Sequence, residues 1–93
     1  MKLGNVTIIK TNFPQADFWL VRRGSVNTVG TPTREYAPEH IGIKLTTDQV
    51  LPEFLYYWFM NFHNTGYWKQ VASGTTNLVN ISTQDVKSIP IDG

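Results

Sequence analysis

The segment that most constrains the fold is an aromatic-rich stretch, Pro52–Asn64. Its large apolar side chains recur with the spacing of one helix face, and it is too long for a typical strand. That face consists of Phe54, Leu55, Trp58, Phe59 and Phe62. Proline suits the first helical position, and Glu53 favours the positive end of the helix dipole. The sequence therefore predicts a main helix over Pro52–Asn64, packed through this face on a sheet.

Short runs of β-branched and aromatic residues predict three strands, at residues 6–9, 18–21 and 41–45. In the third run apolar residues alternate with Gly42, Lys44 and Thr46, so Lys44 is expected on the open face. The strands that contain Phe18 and Ile41 are expected in the sheet under the helix. Residues 24–30, bounded by glycines, are typical of a hairpin or a binding loop, and residues 31–39 of a surface loop.

After the main helix, the sequence predicts a second, shorter helix and then a polar loop. Thr65 is a candidate cap for this helix, and Gly74 could end it in a left-handed conformation. A loop at residues 74–77 leads into an apolar run, and Ser82 with Asp85 matches a variant of the capping box, which predicts one short helical turn. The expected fold is α+β, with a small mixed or antiparallel sheet, one main helix and a second short helix.

Length and composition limit the classes of function. With 93 residues, the chain forms at most one domain, over residues 1–93, and its lack of cysteine excludes disulfides and thiolate chemistry. No stretch is apolar enough for a membrane span and no signal pattern begins the sequence, so a cytoplasmic protein is expected. A net charge of +1 is low for a nucleic-acid binder. DNA binding would therefore require basic side chains on one face; the available ones are Arg22, Arg23, Arg34, Lys44 and Lys69.

Known catalytic constellations do not match this sequence. His40 and His63 lie on different predicted elements, without the spacing of metal ligands. Ser25 follows a glycine but lacks the nucleophile elbow, and the glycines at 24 and 30 fit no nucleotide-binding fingerprint. We therefore expect no enzyme activity, no metal and no cofactor.

Two pairs of neighbouring side chains are candidates for contact with a ligand. Arg22 and Arg23 stand beside the glycine-bounded loop, and guanidinium groups suit bidentate contact with phosphate or guanine. An alternative interpretation has equal weight: neighbouring strand residues face opposite ways, so one arginine would be solvated and the other would pair with an acid. On the helix, at least one of Tyr56 and Tyr57 should turn away from the apolar face.

Taken in order, five segments carry a resemblance to a known family. They are FWLVRRGS at residues 18–25 with VG at 29–30, LPEFLYYW at 51–58, ASGTTN at 72–77, NIS at 80–82 and IPI at 89–91. Together they resemble the target-recognition domain of type I restriction-modification specificity subunits, over about residues 17–91. The resemblance implies an α+β domain that reads bases in double-stranded DNA, while methylation and cleavage belong to separate partner subunits.

The resemblance implies that residues 22–30 and 74–80 lie closest to the DNA. With the basic residues added, the candidate DNA-binding residues are Arg22, Arg23, Ser25, Asn27, Arg34, Lys44, Lys69, Thr75, Thr76, Asn77 and Asn80. Restriction-modification methyltransferase or specificity subunits are the protein partners that it suggests.

The sequence departs from the family in its short N-terminus and its lack of a spacer helix, so a minimal DNA reader, a relic or a decoy is expected. The alternative function is a protein-interaction module of the same fold, which the near-neutral charge favours.

Overall fold

In the part of the chain that the structure describes, the protein is an α+β structure of short antiparallel strands and three α-helices, as the sequence predicts. The computed structural model describes residues 3–74 and 78–89. Its strands are β1 (Thr7–Lys10), β2 (Phe18–Leu20), β3 (Arg23–Gly24), β4 (Pro32–Thr33), β5 (Ile41–Leu45), β6 (Ser73–Gly74) and β7 (Val79–Asn80). Its α-helices are α1 (Pro52–Asn64), α2 (Tyr67–Val71) and α3 (Thr83–Lys87), and a 3-10 turn precedes β1 at Leu3–Asn5.

The larger sheet has four strands in the order β1-β5-β2-β4. All three residues of β2 are buried, and Phe18 and Leu20 pair with Ile43 and Ile41 of β5. The predicted sharing of one sheet by these two strands is therefore confirmed. Strand β1 begins one residue later than predicted, at Thr7, and alternates buried and exposed positions along its length. Alternation of this kind is typical of a strand with one face on the core.

A second, three-stranded sheet, in the order β3-β7-β6, was not predicted as a sheet. Its strands have two residues each and come from distant parts of the chain, so pairing rather than local preference defines them. Gly74 is part of β6, and the prediction that it ends α2 is wrong. That helix ends at Ala72, whose backbone is extended.

Helix α1 has the predicted bounds, but the prediction of its buried face is only partly correct. Leu55 and Phe59 are buried as expected, whereas Phe54 is 62% exposed and does not pack on the sheet. Trp58 is half-buried and stacks on Phe62, with 4.8 Å between the ring centroids. Residues 54–60 of this helix are all apolar or aromatic, so their spacing alone does not determine which side faces the core.

The turn between α1 and α2 differs from the predicted cap. Thr65 does not cap α2; its hydroxyl donates to the carbonyl of Phe62 at 2.7 Å and closes the end of α1. The next residue, Gly66, has φ 83° and donates its N–H to the carbonyl of His63 at 3.2 Å. A glycine in the left-handed conformation just after a helix is a common way to satisfy its last carbonyls. The second helix then starts without a side-chain cap.

The predicted capping box at the start of α3 is confirmed. The backbone N–H of Asp85 donates to the Ser82 hydroxyl at 3.0 Å, and the backbone N–H of Ser82 donates to the Asp85 carboxylate at 2.9 Å. Each residue thus satisfies an otherwise unpaired donor of the other. This fixes the direction in which the chain leaves β7.

The core lies between the larger sheet and the helices. Its fully buried side chains include Trp68, Phe18, Phe59, Leu20, Ile41, Ile43, Ile81, Ile89, Val29 and Val86. Tyr56 packs edge-on against Phe18, while Tyr57 is exposed, as predicted for one of the two tyrosines. Within residues 3–74 and 78–89, no helix is long and apolar enough to cross a membrane.

Candidate nucleic-acid interface

The second sheet brings Arg23 and Asn80 into direct cross-strand register. Both residues are exposed, and side chains directly opposite in an antiparallel pair lie on the same face with Cβ atoms about 4.5–5.5 Å apart. Val79, the neighbour of Asn80 on β7, is buried and therefore lies on the other face. We call the face that carries Arg23 and Asn80 the outer face of the second sheet. The outer face is polar, and the opposite face of the same sheet carries the buried Val79.

The loop after β3 is held by a chain of hydrogen bonds. The hydroxyls of Ser25 and Thr28 lie 2.7 Å apart, and the Thr31 hydroxyl donates to the carbonyl of Thr28 at 2.6 Å. The loop returns to the core through Val29, which is fully buried, and through Gly30, whose N–H donates to the carbonyl of Val21 at 2.8 Å. The Ser25 hydroxyl is therefore engaged inside this loop, which we call the 25–31 loop.

The side chain of Asn27 lies at the exposed part of the 25–31 loop. Its backbone carbonyl is 2.9 Å from Nε2 of His63, in the last turn of α1, and the same nitrogen is 3.3 Å from the Thr31 hydroxyl. The sequence predicts no metal-binding role for His63 and gives no sign of this loop contact. Because 36 residues separate the two partners, no local pattern could have revealed this contact.

Arg22 and Arg23 differ in exposure. Arg23 is exposed, whereas Arg22 is half-buried and its Nε is fully buried without a hydrogen-bond partner. Among the described residues, neither arginine forms a salt bridge with an acid; the ion pair found there joins Lys44 to Asp17. These exposures agree with the expectation that the two side chains face opposite ways. The expectation that one arginine pairs with an acid is not met among the described residues. Arg23 is consequently the better placed of the two to contact a ligand.

Arg34 and Lys44 already have partners on other elements. The guanidinium of Arg34 lies 4.1 Å from the centroid of the Tyr56 ring, beside α1. Lys44 lies on β5 in the larger sheet, and its ammonium is 3.9 Å from the Asp17 carboxylate. The Lys44 side chain is 45% exposed, in agreement with the predicted open face. Neither residue belongs to the second sheet.

The strands of the second sheet, the 25–31 loop and α2 contain no acidic residue. From Phe18 to Arg34 the charged residues are all arginines, and from Phe54 to Gln84 the charged residue is Lys69, which is exposed on α2. Four of the seven acids fall between Arg34 and Phe54; they are Glu35, Glu39, Asp48 and Glu53. The strands of the second sheet, the 25–31 loop and α2 therefore carry positive charge that no acid of their own offsets.

Three predicted site residues, Thr75, Thr76 and Asn77, lie outside the described residues. They fall between β6 and β7 in the sequence. Of the other candidates, the structure brings Arg23 and Asn80 together. Ser25 and Asn27 lie in the loop that directly follows β3, whereas Arg34 and Lys44 lie in other parts of the fold.

The part of the chain that the structure describes holds no group of three or more His, Cys, Asp or Glu side chains that could bind a metal ion. His40 has a buried Nδ1 without a hydrogen-bond partner, and His63 holds the 25–31 loop. The arrangement offers hydrogen-bond donors and positive charge on a rigid support, which suits binding.

Comparison with protein-family models found no matching family, and comparisons with curated proteins and with solved structures found no match.

Proposed function

We propose that this protein is a non-catalytic domain that binds double-stranded DNA through the outer face of the second sheet. The observation that carries the proposal is the exposed pair of Arg23 and Asn80 in cross-strand register, on elements without acidic residues. Phosphate groups attract such a surface, and binding to them supplies most of the affinity for any duplex. The resemblance of the sequence to target-recognition domains suggests the same function.

The two side chains of the pair have complementary chemistry toward bases. Arginine suits bidentate contact with guanine, and asparagine suits bidentate contact with adenine, both in the major groove. Opposite Cβ atoms lie about 4.5–5.5 Å apart and base pairs stack about 3.4 Å apart, a difference that two long, flexible side chains can span. Arg23 and Asn80 could therefore contact neighbouring base pairs, or Arg23 a phosphate and Asn80 a base.

In this proposal the protein acts in the cytoplasm, and methylation and cleavage of DNA belong to other proteins. The restriction-modification methyltransferase or specificity subunits that the resemblance suggests are the first such partners to test. Purified protein alone is expected neither to cut nor to methylate DNA.

The proposal is tested by titrating isotope-labelled protein with duplex DNA while recording amide resonances. We expect the largest shifts at Arg23, Asn80 and Asn27, with little change on β1 at the far edge of the larger sheet. An Asn80→Ala variant should keep its affinity for random duplex and lose discrimination among sequences, because amide side chains read bases. Shifts confined to the larger sheet, or none at high micromolar DNA, would reject the outer face as the binding surface.

A second candidate function is a protein-interaction module, and a separate surface favours it. Leu51, which precedes α1, and Phe54 and Tyr57 on its first two turns follow at every third position, and all three are exposed. Large apolar side chains that cluster on a surface are typical of interfaces between proteins. A second copy of the chain is the first partner to test, by sedimentation at several concentrations. Self-association that a Phe54→Ser variant abolishes, in a protein that binds no duplex, would support this function over DNA binding.

A further inference from the structure

We infer that His63 is a positioning residue for the DNA-binding surface, because it fixes the 25–31 loop beside the outer face of the second sheet. The imidazole extends from the last turn of α1 to a loop that is more than thirty residues away in sequence. Its Nε2 is 2.9 Å from the carbonyl oxygen of Asn27 and 3.3 Å from the hydroxyl oxygen of Thr31. The inference about DNA rests on the proposed function, whereas the inference about the loop does not.

The partners of the imidazole determine where its proton is. The carbonyl of Asn27 can only accept, and the Thr31 hydroxyl already donates to the carbonyl of Thr28 at 2.6 Å. Nε2 must therefore carry the proton and donate, with Asn27 as its nearer acceptor. A ring protonated only at Nδ1 would set a lone pair against a carbonyl oxygen, which is repulsive. The structure thus assigns the Nε2–H form, or the imidazolium, to His63.

Without His63, the hydrogen bonds of the exposed part of the loop would all be local. The amides of Thr28 and Val29 both donate to the carbonyl of Ser25, at 2.9 and 3.2 Å, within one turn. Val26 packs against the core and Val29 is fully buried in it, but Asn27 lies between them in sequence and is exposed. Among the described residues, the hydrogen bond from His63 is the one that joins the carbonyl of Asn27 to a distant element.

A fixed backbone at Asn27 matters for binding because ordering a loop on association lowers affinity. Asn27 follows Arg23 by four positions, and its side chain is exposed. When the loop is already ordered, its polar groups can contact a phosphate or a base without that loss. Removal of the His63 contact should therefore weaken duplex binding roughly three- to tenfold.

The first test follows the loop itself by amide hydrogen exchange and by the ring nitrogen resonances of His63. In wild-type protein, Nε2 should show the resonance of a protonated nitrogen. A His63→Ala variant should speed exchange at the Thr28 and Val29 amides about two- to tenfold. Exchange at Ile43 in the larger sheet should not change, which shows that the fold is intact. Unchanged loop exchange in that variant, or an Nε2 without a proton in the wild type, would overturn the inference.

The second test uses variants matched to this one. A His63→Gln variant carries an amide N–H that can reach the Asn27 carbonyl, so it should restore both slow exchange and duplex affinity. Asn61→Ala, at an exposed position two residues earlier on α1, should leave both unchanged. A loop that His63→Ala loosens and His63→Gln does not restore would overturn the hydrogen-bonding role. Equal affinity of wild type and His63→Ala for duplex would overturn the positioning role in binding.

The two proposals can fail separately. If the wild type binds no duplex while His63→Ala loosens the loop and His63→Gln restores it, DNA binding is wrong and the anchoring of the loop by His63 stands. If duplex binds to the outer face while loop exchange is insensitive to His63, the anchoring is wrong and the proposed function stands.

Discussion

At the scale of single residues, Gly30 is a position where two constraints each favour glycine: its backbone conformation and its close approach to Trp68. Its φ is 83°, a region that residues with a side chain rarely adopt. A Cβ added at Gly30 would lie 2.1 Å from Cδ1 of Trp68, far inside van der Waals contact. The indole of Trp68 is almost completely buried and cannot move aside without disturbing the core. Gly30 therefore allows the 25–31 loop to return beneath Trp68.

A Gly30→Ala variant should be destabilised by about 2–5 kcal/mol, from backbone strain and overpacking together. Gly66 provides a matched control, because it has the same φ of 83° and an added Cβ would meet nothing within 4 Å. Gly66→Ala should cost about 1–2 kcal/mol, from backbone strain alone. Urea denaturation of both variants measures the difference, and equal losses would show that Trp68 does not enforce glycine at position 30.

At the scale of elements, α1 shows what a local pattern can and cannot predict. Proline at its first position and the length of the apolar run gave its bounds correctly. Because so many residues of the helix are apolar, the pattern did not define its buried side. Phe54 and Phe59 were both expected in the core, and only Phe59 is buried. Only packing against the sheet decides that side, as where Phe18 of β2 contacts Tyr56 and Phe59, and such contacts are distant in sequence.

A pair of phenylalanine variants tests which side of α1 supports the fold. Phe59 is fully buried, so Phe59→Ala should cost about 3–5 kcal/mol, a large share of the stability of a small domain. Phe54 is 62% exposed, and Phe54→Ala should change stability by no more than about 0.5 kcal/mol. Chemical denaturation measures both changes. A larger loss for Phe54→Ala than for Phe59→Ala would mean that the helix is rotated relative to this structure.

The capping box of α3 was predictable because both partners lie within four residues of sequence. Ser82→Ala removes the acceptor for the Asp85 amide and should destabilise the protein by about 1 kcal/mol. Ser88→Ala is the same chemical change at the exposed other end of α3, and should cost less than about 0.5 kcal/mol. Thermal unfolding compares the two, and equal shifts in melting temperature would argue against the cap.

At the scale of the whole molecule, the candidate site was predictable in its residues but not in its arrangement. Arg23 and Asn80 were both named from local composition and resemblance, yet their register depends on two-residue strands that no local pattern indicates. The grouping of Arg34 and Lys44 with them was an expectation from charge alone, and the structure has them beside Tyr56 and Asp17 instead. Composition gives the number of basic groups, and only the fold determines which of them share a face.

The salt dependence of DNA binding tests that arrangement. Two basic residues, Arg23 and Lys69, belong to the elements without acids, and a third, the half-buried Arg22, directly precedes β3. Each phosphate contact contributes a slope of about −0.9 in log affinity against log salt. We therefore expect a slope of roughly −2 to −3 on random duplex, with micromolar or weaker affinity. Arg23→Ala should flatten the slope by about one unit for every sequence.

Lys44→Ala is the matched control for that slope, because Lys44 carries one positive charge like each of the three but lies on β5 beside the Asp17 carboxylate. An unchanged slope in this variant, together with a flatter one in Arg23→Ala, would locate the phosphate contacts on the outer face. Equal flattening in both would mean that the duplex also contacts the larger sheet. Absence of binding at about 50 mM salt, where phosphate attraction is strong, would exclude the DNA proposal. The exposed Leu51, Phe54 and Tyr57 surface of α1 would then become the binding surface to investigate.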